Sequence, residues 1–139
     1  MENGQLKIDD YVKTFADFIG AWNRSDPEAV ASYYADDFDY RDPSTREGIT
    51  NKEQLIKYLK LMFLIWPQQE WIPGDLFPHK QDGSFSGCYN FKISNGKTEI
   101  KGHGMDIIEF KGNKICKNHI YLNADKWNTW LKNELSESK

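Results

Sequence analysis

The 139-residue sequence is poor in the features that mark several specialised protein classes. Its two cysteines, Cys88 and Cys116, are too few for a disulfide framework, so we expect free thiols in a reducing compartment. The formal net charge of −3 gives no basic surface of the kind that binds nucleic acid. The longest apolar run, residues 61–66, is far too short to cross a bilayer, and the first residues show no signal-peptide pattern. These absences predict a soluble, cytoplasmic protein without nucleic-acid or membrane partners.

Aromatic residues, by contrast, are abundant. The chain has 5 tryptophans, 7 tyrosines and 8 phenylalanines, which together make up 14% of it. Large aromatic side chains fill cores, and they also line pockets for flat apolar ligands. The surplus therefore fits a ligand pocket and a core filled by its own side chains equally well.

Helical periodicity dominates the first half of the chain. Apolar residues at helical spacing predict an amphipathic helix over residues 8–22. Asp26 before Pro27 has the pattern of a cap followed by proline at the first helical position, which predicts a short second helix. Thr50 and Glu53 have the spacing of a capping box, so we expect a third helix from there to Pro67.

The period changes to two after Gln69. Alternation predicts strands over residues 71–77, 85–93, 100–110 and 114–122, and Asn95-Gly96 is a strong hairpin signal. A last helix follows over about 124–135. The order predicts a single α+β domain over residues 1–139, with its core over about 8–123, in which a curved antiparallel sheet wraps around the helices.

A carboxylate stands on an apolar strand face near residue 40. Phe38, Tyr40 and Asp42 share one parity, so all three point inward on a regular strand. Burying an unpaired ion is costly. Asp42 is therefore either satisfied by the turn that follows Pro43, or it is there for chemistry.

The strand 99–110 repeats this pattern. Its even positions are apolar or glycine except at Asp106, and Gly104 beside it either bends the strand or leaves room for a ligand. Asn118 lies on the inner parity of the last strand. Two inward aspartates on separate strands predict one shared functional site, with a structural hydrogen-bond network as the alternative.

These elements resemble the nuclear-transport-factor-2-like superfamily. The resemblance rests on two helices, Tyr34-Ala35-Asp36-Asp37, a strand ending in Asp42-Pro43, a loop with Gly48, a third helix and a long meander. Within the superfamily the sequence is most similar to ketosteroid isomerase and the SnoaL-like polyketide cyclases. The resemblance implies a cone-shaped fold with the N-terminal helices packed in the curved sheet. It also implies that Asp42 takes the place of the isomerase's proton-shuttling base, and Asp106 that of its protonated aspartate.

One position departs from the isomerase pattern. Phe18 lies where that family has a hydrogen-bond-donating tyrosine, so we do not expect steroid isomerisation. The cyclases also use an inward acid on the long strand, which Asp106 resembles. Tyr40 shares the parity of Asp42 and can supply the missing hydroxyl.

The resulting prediction is an acid–base proton-transfer enzyme, of cyclase or isomerase type, or else a lyase or hydrolase. Its substrate is a small apolar organic molecule that bears a carbonyl group. Asp42 is the expected base and Asp106 the expected acid, or the reverse, because repulsion and desolvation separate the two pKa values. No cofactor and no metal are predicted. The expected binding residues are Phe18, Trp22, Tyr34, Tyr58, Met62, Tyr89, Phe91, Gly104 and Asn118. A non-catalytic binding module and a self-filled cavity are the alternatives.

The outer face of the sheet predicts self-association. It carries apolar side chains among charges, namely Met105, Ile107, Ile115 and Tyr121. A half-apolar outer face is typical of a homodimer interface. The alternative is that Trp127, Trp130 and Leu131 of the closing helix cover this face. His103 and His119 share the outer parity and are expected to meet across strands, but a third metal ligand is missing.

Overall fold

The computed structural model describes residues 8–137, without the side chains of residues 124–129 and 137. It confirms the α+β order of elements. The helices and strands, in chain order, are α1 Ile8–Asn23, α2 Pro27–Ala31, β1 Tyr34–Arg41, α3 Lys52–Ile65, β2 Gln68–Pro78, β3 Ser84–Ser94, β4 Glu99–Lys111, β5 Lys114–Ala124 and α4 Asp125–Glu137. The predicted domain limits include residues 1–7 and 138–139, which lie outside the described residues. No helix in the described part of the chain has the length and apolar character needed to cross a bilayer.

Local sequence signals set the helix starts. The Asp26 side chain accepts a hydrogen bond from the Ala29 N–H at 3.0 Å, as its cap position predicts. The cap of α3 is Asn51 rather than the predicted Thr50, because the Asn51 backbone is extended and its side chain accepts from the Gln54 N–H at 3.0 Å. The predicted third helix is thus correct, but its cap lies one residue later.

The five strands form one sheet in the order β1-β5-β4-β3-β2. Strands β2 to β5 are the predicted antiparallel meander. Strand β1 is the exception, since it pairs with β5 in parallel, with Arg41 opposite His119. The sheet is therefore mixed at one edge, and the prediction of a wholly antiparallel sheet is wrong there.

A β-bulge reverses the face of one residue. Ile115 was expected on the outer face, yet it is fully buried in the core. The register between β4 and β5 shifts at this point: Lys117 lies opposite Glu109, but Ile115 lies opposite Phe110. The extra residue, Cys116, inverts the alternation before it.

The outer sheet face keeps part of its predicted apolar character. Met105 and Tyr121 are 40% and 56% exposed, and Ile107 is half-buried. Helix α4 contacts β4 and β5, but its Trp130, Leu131 and Leu135 are exposed. The side chain of Trp127 lies outside the described residues. Trp130 and Leu131, which the alternative expected to cover the outer face, are thus exposed.

Candidate functional site

A cavity of about 310 Å³ lies between α1, α3 and the inner face of the sheet. Its wall is mostly apolar and aromatic. The lining residues are Trp22, Tyr40, Asp42, Pro43, Ser44, Tyr58, Leu61, Met62, Ile65, Trp66, Gln69, Trp71, Ile93, Ile120 and Leu122. Leu61, Ile65 and Leu122 are 56%, 49% and 37% exposed, so they form the rim. The cavity has the size and character of a site for a small apolar molecule.

Asp42 lies where β1 ends and a tight turn begins. Its backbone N–H donates to Thr45 Oγ1 at 3.0 Å, and its carbonyl accepts from the Thr45 N–H at 3.1 Å. The turn allows the side chain to point inward while Pro43 stops the strand. The capping role considered from the sequence is thus present, and it places the carboxylate in the cavity wall.

Five donors converge on the Asp42 carboxylate. Oδ1 accepts from the Ser44 N–H at 2.9 Å, from the Ser44 hydroxyl at 3.2 Å and from the Thr45 hydroxyl at 3.0 Å. Oδ2 accepts from the Tyr40 hydroxyl at 2.7 Å and the Tyr58 hydroxyl at 2.5 Å. Each of the five groups carries an N–H or O–H, so together they can satisfy the acceptor sites of the carboxylate.

The two tyrosines stay protonated. Burial, followed by the charge of Asp42, holds the pKa of Tyr40 well above its usual value. Burial and the hydrogen bond to Asp42 likewise raise the pKa of Tyr58 above its usual range. Tyr40 is fully buried, whereas Tyr58 is half-buried. Tyr58 is therefore the neutral hydroxyl donor that a ligand in the cavity can reach.

Asp106 belongs to a second hydrogen-bond network. Its Oδ1 accepts from the Tyr89 hydroxyl at 2.5 Å, and its Oδ2 accepts from Asn118 Nδ2 at 2.9 Å. The Tyr34 hydroxyl in turn donates to Asn118 Oδ1 at 2.6 Å. Burial raises the pKa of Asp106 to about 6, although both hydrogen bonds act in the opposite direction. The inward parity of Asp106 and Asn118 is confirmed, since they are 3% and 0% exposed.

The structure does not bring the two carboxylates into one cavity. Asp106 borders a separate space of about 20 Å³, room for about one water molecule. The walls of this space and of the larger cavity share Trp22, Trp71 and Ile120. Asp42 and Asp106 thus line two adjacent spaces rather than the one hollow that the sequence predicts, and Trp22 and Trp71 border both spaces. The alternation along a strand predicts which face of the sheet each side chain lies on, but it does not predict which cavity the side chain borders.

The predicted binding residues fall into two groups. Trp22, Tyr58 and Met62 line the cavity, as do the predicted catalytic residues Asp42 and Tyr40. The other predicted binding residues do not line it; they are Phe18, Tyr34, Tyr89, Phe91, Gly104 and Asn118. Phe18 and Tyr34 are fully buried and pack on each other, with ring centroids 5.7 Å apart.

Neighbouring side chains fill the space beside Gly104. A Cβ atom there would lie 2.6 Å from the Tyr121 carbonyl oxygen and 2.9 Å from the Tyr89 ring. The expectation that this glycine leaves room for a ligand is therefore wrong. Phe91 is covered as well, since its ring stacks on Trp71 with centroids 5.0 Å apart.

Sequence reasoning missed much of the cavity wall. Positions 58, 61, 62 and 65 form one helical face. The spacing of Leu61 and Ile65 from Tyr58 and Met62 was therefore enough to predict them as lining residues. The sequence predicts Trp71 only as the first residue of the strand over 71–77, which does not indicate its position in the cavity wall. Trp71 is held there because its N–H donates to Asn23 Oδ1 at 2.6 Å and its indole N–H donates to Gln69 Oε1 at 2.8 Å.

The predicted histidine pair does not form. His103 lies opposite Asn123, while His119 lies opposite Ile107 and contacts Asp39 instead, at 3.2 Å. Within residues 8–137, no group of three His, Cys, Asp or Glu side chains is arranged to hold a metal ion.

Comparison with known proteins agrees with the fold. The sequence model of the SnoaL-like domain family matches residues 15–118. A comparison with curated protein sequences gives no significant match. Among solved structures, the epoxide hydrolase/cyclase-like enzyme SalBIII of salinomycin pyran-ring formation is similar with a TM-score of 0.73 and 14% identity, over 83% of this chain and 92% of that one.

Two further structures were determined with small molecules. TerC, co-crystallised with polyporic acid, has a TM-score of 0.69 and 10% identity over 92% of this chain and 98% of that one. A protein with a ketosteroid isomerase-like fold from Catenulispora acidiphila was solved in complex with trimethylamine. It has a TM-score of 0.69 and 14% identity, over 78% of this chain and 83% of that one. At these identities the likeness shows the fold alone.

Proposed function

The chain belongs to the SnoaL-like domain family, and we propose that it is a proton-transfer enzyme. Its substrate is a small, largely apolar molecule that bears a carbonyl group and binds in the cavity beside Asp42. The observation that carries the proposal is the position of Asp42. One buried carboxylate, held by five donors, lies in the wall of a mostly apolar and aromatic cavity.

The solved relatives support a small organic ligand. TerC was crystallised with polyporic acid and the Catenulispora acidiphila protein with trimethylamine. SalBIII is described as an epoxide hydrolase/cyclase-like enzyme. Since the fold hosts more than one activity, the assignment for this chain rests on its own site residues.

Tyr58 connects binding to proton transfer. Its hydroxyl donates to Asp42 Oδ2 and also lies 3.2 Å from the Ser44 hydroxyl. A ligand carbonyl that takes the Tyr58 hydrogen bond frees a lone pair on Oδ2. Asp42 then removes a proton from the carbon next to the carbonyl. The C–H electron pair forms the new C=C bond, and the C=O π pair moves onto the oxygen, which gives the enolate. Tyr58 stabilises this oxygen by hydrogen bonding while it keeps its own proton.

Tyr40 and Asp106 have supporting positions in this arrangement. Tyr40 is fully buried and orients Asp42 through their 2.7 Å hydrogen bond. Asp106 borders the smaller, adjacent space rather than the ligand cavity. Its role as the acid stays a proposal, and it requires a ligand that extends into that space.

A non-catalytic binding protein is the second candidate. The observation that favours it is that all hydrogen-bonding sites of Asp42 are occupied within the protein. A binding protein takes up the ligand saturably and leaves it unchanged.

The test uses 2-tetralone, a compact bicyclic ketone with acidic protons beside its carbonyl. Binding is followed by the fluorescence of Trp22 and Trp71, with the hydrocarbon tetralin as the control that lacks a carbonyl. Exchange of the acidic protons in D₂O is followed by proton NMR. We expect saturable binding that favours the ketone, together with protein-dependent exchange. Binding without exchange would support the second candidate, and no binding of either compound would contradict both.

We also propose that the protein is a single cytoplasmic domain that forms a homodimer. The homodimer proposal rests on the exposed Met105 and Tyr121 of the outer sheet face. Replacing both residues with charged ones is expected to shift the sedimentation coefficient to that of a monomer.

A further inference from the structure

A second cavity, of about 400 Å³, adjoins the first at the edge of the sheet. Strand β1 ends at Arg41, opposite His119, while β5 continues through residues 120–122 without a strand on that side. The lining residues are Arg41, Asp42, Pro43, Arg46, His119, Ile120, Tyr121 and Leu122. Four of them also line the first cavity, namely Asp42, Pro43, Ile120 and Leu122. One molecule can therefore occupy both.

The second cavity differs from the first in its charge. It is lined by two arginines and a histidine, whereas none of the described residues in the wall of the first cavity is basic. Arg41 is held in place, because its Nε donates to Asp39 Oδ1 at 3.1 Å and His119 lies 3.2 Å from Oδ2 of the same carboxylate. This contact uses one of the five N–H groups of Arg41, and the others remain for a ligand.

Two carboxylates lie nearby, and only Asp39 contacts basic partners, Arg41 and His119. Burial acts to raise the pKa of Asp39, but hydrogen bonds from Arg41 and His119 outweigh it and leave the pKa below its usual value. Asp42 accepts five hydrogen bonds. Arg46 is exposed, and no carboxylate in the described part of the chain lies within ion-pair distance of it. Arg46 is thus a cation of the second cavity that has no ion-pair partner among the described residues.

We propose that this second cavity binds the carboxylate of an amphipathic ligand whose apolar, carbonyl-bearing part lies in the first cavity. The inference rests on the proposed function and adds a substrate class, a keto acid with an apolar body. Guanidinium groups suit this role because their planar N–H donors match a carboxylate. Arg46 supplies a guanidinium group without an ion-pair partner, and Arg41 supplies a fixed second donor.

The test compares two probes, 2-tetralone and 2-tetralone with a carboxylate on its aromatic ring. Dissociation constants are measured by tryptophan fluorescence for the native protein, Arg46→Ala and Arg24→Ala. Arg24 is the matched control, an exposed arginine that lines neither cavity. We expect the acid to bind about fivefold more tightly than the ketone, as suits a partly exposed ion pair. Arg46→Ala should remove this advantage without changing ketone binding, and Arg24→Ala should change neither.

Salt provides a second readout. Binding of the acid should weaken as salt rises from 0.02 to about 0.5 M, because exposed charges are screened, whereas ketone binding should not. Ketone binding with no preference for the acid, or an equal effect of both variants, would overturn the inference and leave the proposed function intact. If only the acid binds, and its binding depends on Arg46, the result would support the second cavity as a carboxylate site. The same result would count against the proposed function, because the ketone itself would not bind. Binding of neither probe would overturn both.

Discussion

Asp42 and Asp106 are buried to a similar extent, yet their surroundings differ. Asp42 lies at the end of an edge strand and shares a cavity of about 310 Å³ with half-exposed Tyr58. Asp106 lies in the middle of the sheet and borders a space of about 20 Å³. Both carboxylates accept hydrogen bonds from tyrosine hydroxyls. The comparison teaches that two carboxylates with similar burial and similar partners differ in the space beside them, and we expect the one beside the larger cavity to meet a ligand.

The largest expected effect comes from removing the charge at the cavity. Asp42→Asn should lower the exchange rate of 2-tetralone by about 10²–10⁴-fold, because a positioned base is lost. Binding should change much less, since the apolar wall remains. Proton NMR of exchange and fluorescence titration check the two parts. An unchanged exchange rate would remove Asp42 from the mechanism.

Asp106→Asn should affect stability more than turnover. Burial raises the pKa of Asp106 from 3.8 to about 6, so the folded protein holds this proton more tightly than the unfolded chain does. The stability from this group is therefore full below pH 4 and is lost as the pH rises through 6. The loss amounts to about 3 kcal/mol. We expect the stability of Asp106→Asn, relative to the native protein, to rise by about this amount between pH 4 and pH 7.

Urea unfolding at several pH values measures this difference. Asp75→Asn is the matched control, because Asp75 is exposed and outside both networks. Turnover of Asp106→Asn should fall by less than about tenfold, the lower limit for direct acid catalysis. A larger fall would restore the two-aspartate mechanism that the sequence predicted. A pH-independent difference in stability would contradict the assigned burial.

The smallest expected effects separate two matched tyrosines. Tyr58→Phe removes one donor from Asp42 and Tyr89→Phe one donor from Asp106, each bonded at 2.5 Å. Tyr58→Phe should lower turnover about tenfold with little loss of stability, because Tyr58 is half-buried. Tyr89→Phe should cost about 1–3 kcal/mol of stability and leave turnover within twofold. Exchange rates and urea unfolding of both variants check this, and equal effects on turnover would erase the distinction between the two regions.

The fold was largely predictable because local signals agree with it. The Asp26 cap and the alternation that turns Asp42, Asp106 and Asn118 inward are all found in the structure. The reversed face of Ile115 was not predictable, because a bulge at Cys116 depends on the partner strand.

The site was only partly predictable. Asp42 and Tyr40 are neighbours in sequence, and their hydrogen bond follows from shared parity. The donor Tyr58 comes from α3, and Trp71 reaches the cavity through its hydrogen bond to Asn23, 48 residues away in sequence. Contacts of this kind depend on how the helices pack on the sheet. Alternation assigns a residue to a face but carries no information about what covers it.

The central claim is that Asp42, and not Asp106, faces the ligand. Carbon NMR of the aspartate carboxyl groups during titration with 2-tetralone tests it most directly. We predict that the Asp42 signal shifts with the same dissociation constant as the tryptophan fluorescence, while the Asp106 signal stays unchanged. A shift of the Asp106 signal with an unchanged Asp42 signal would contradict the account.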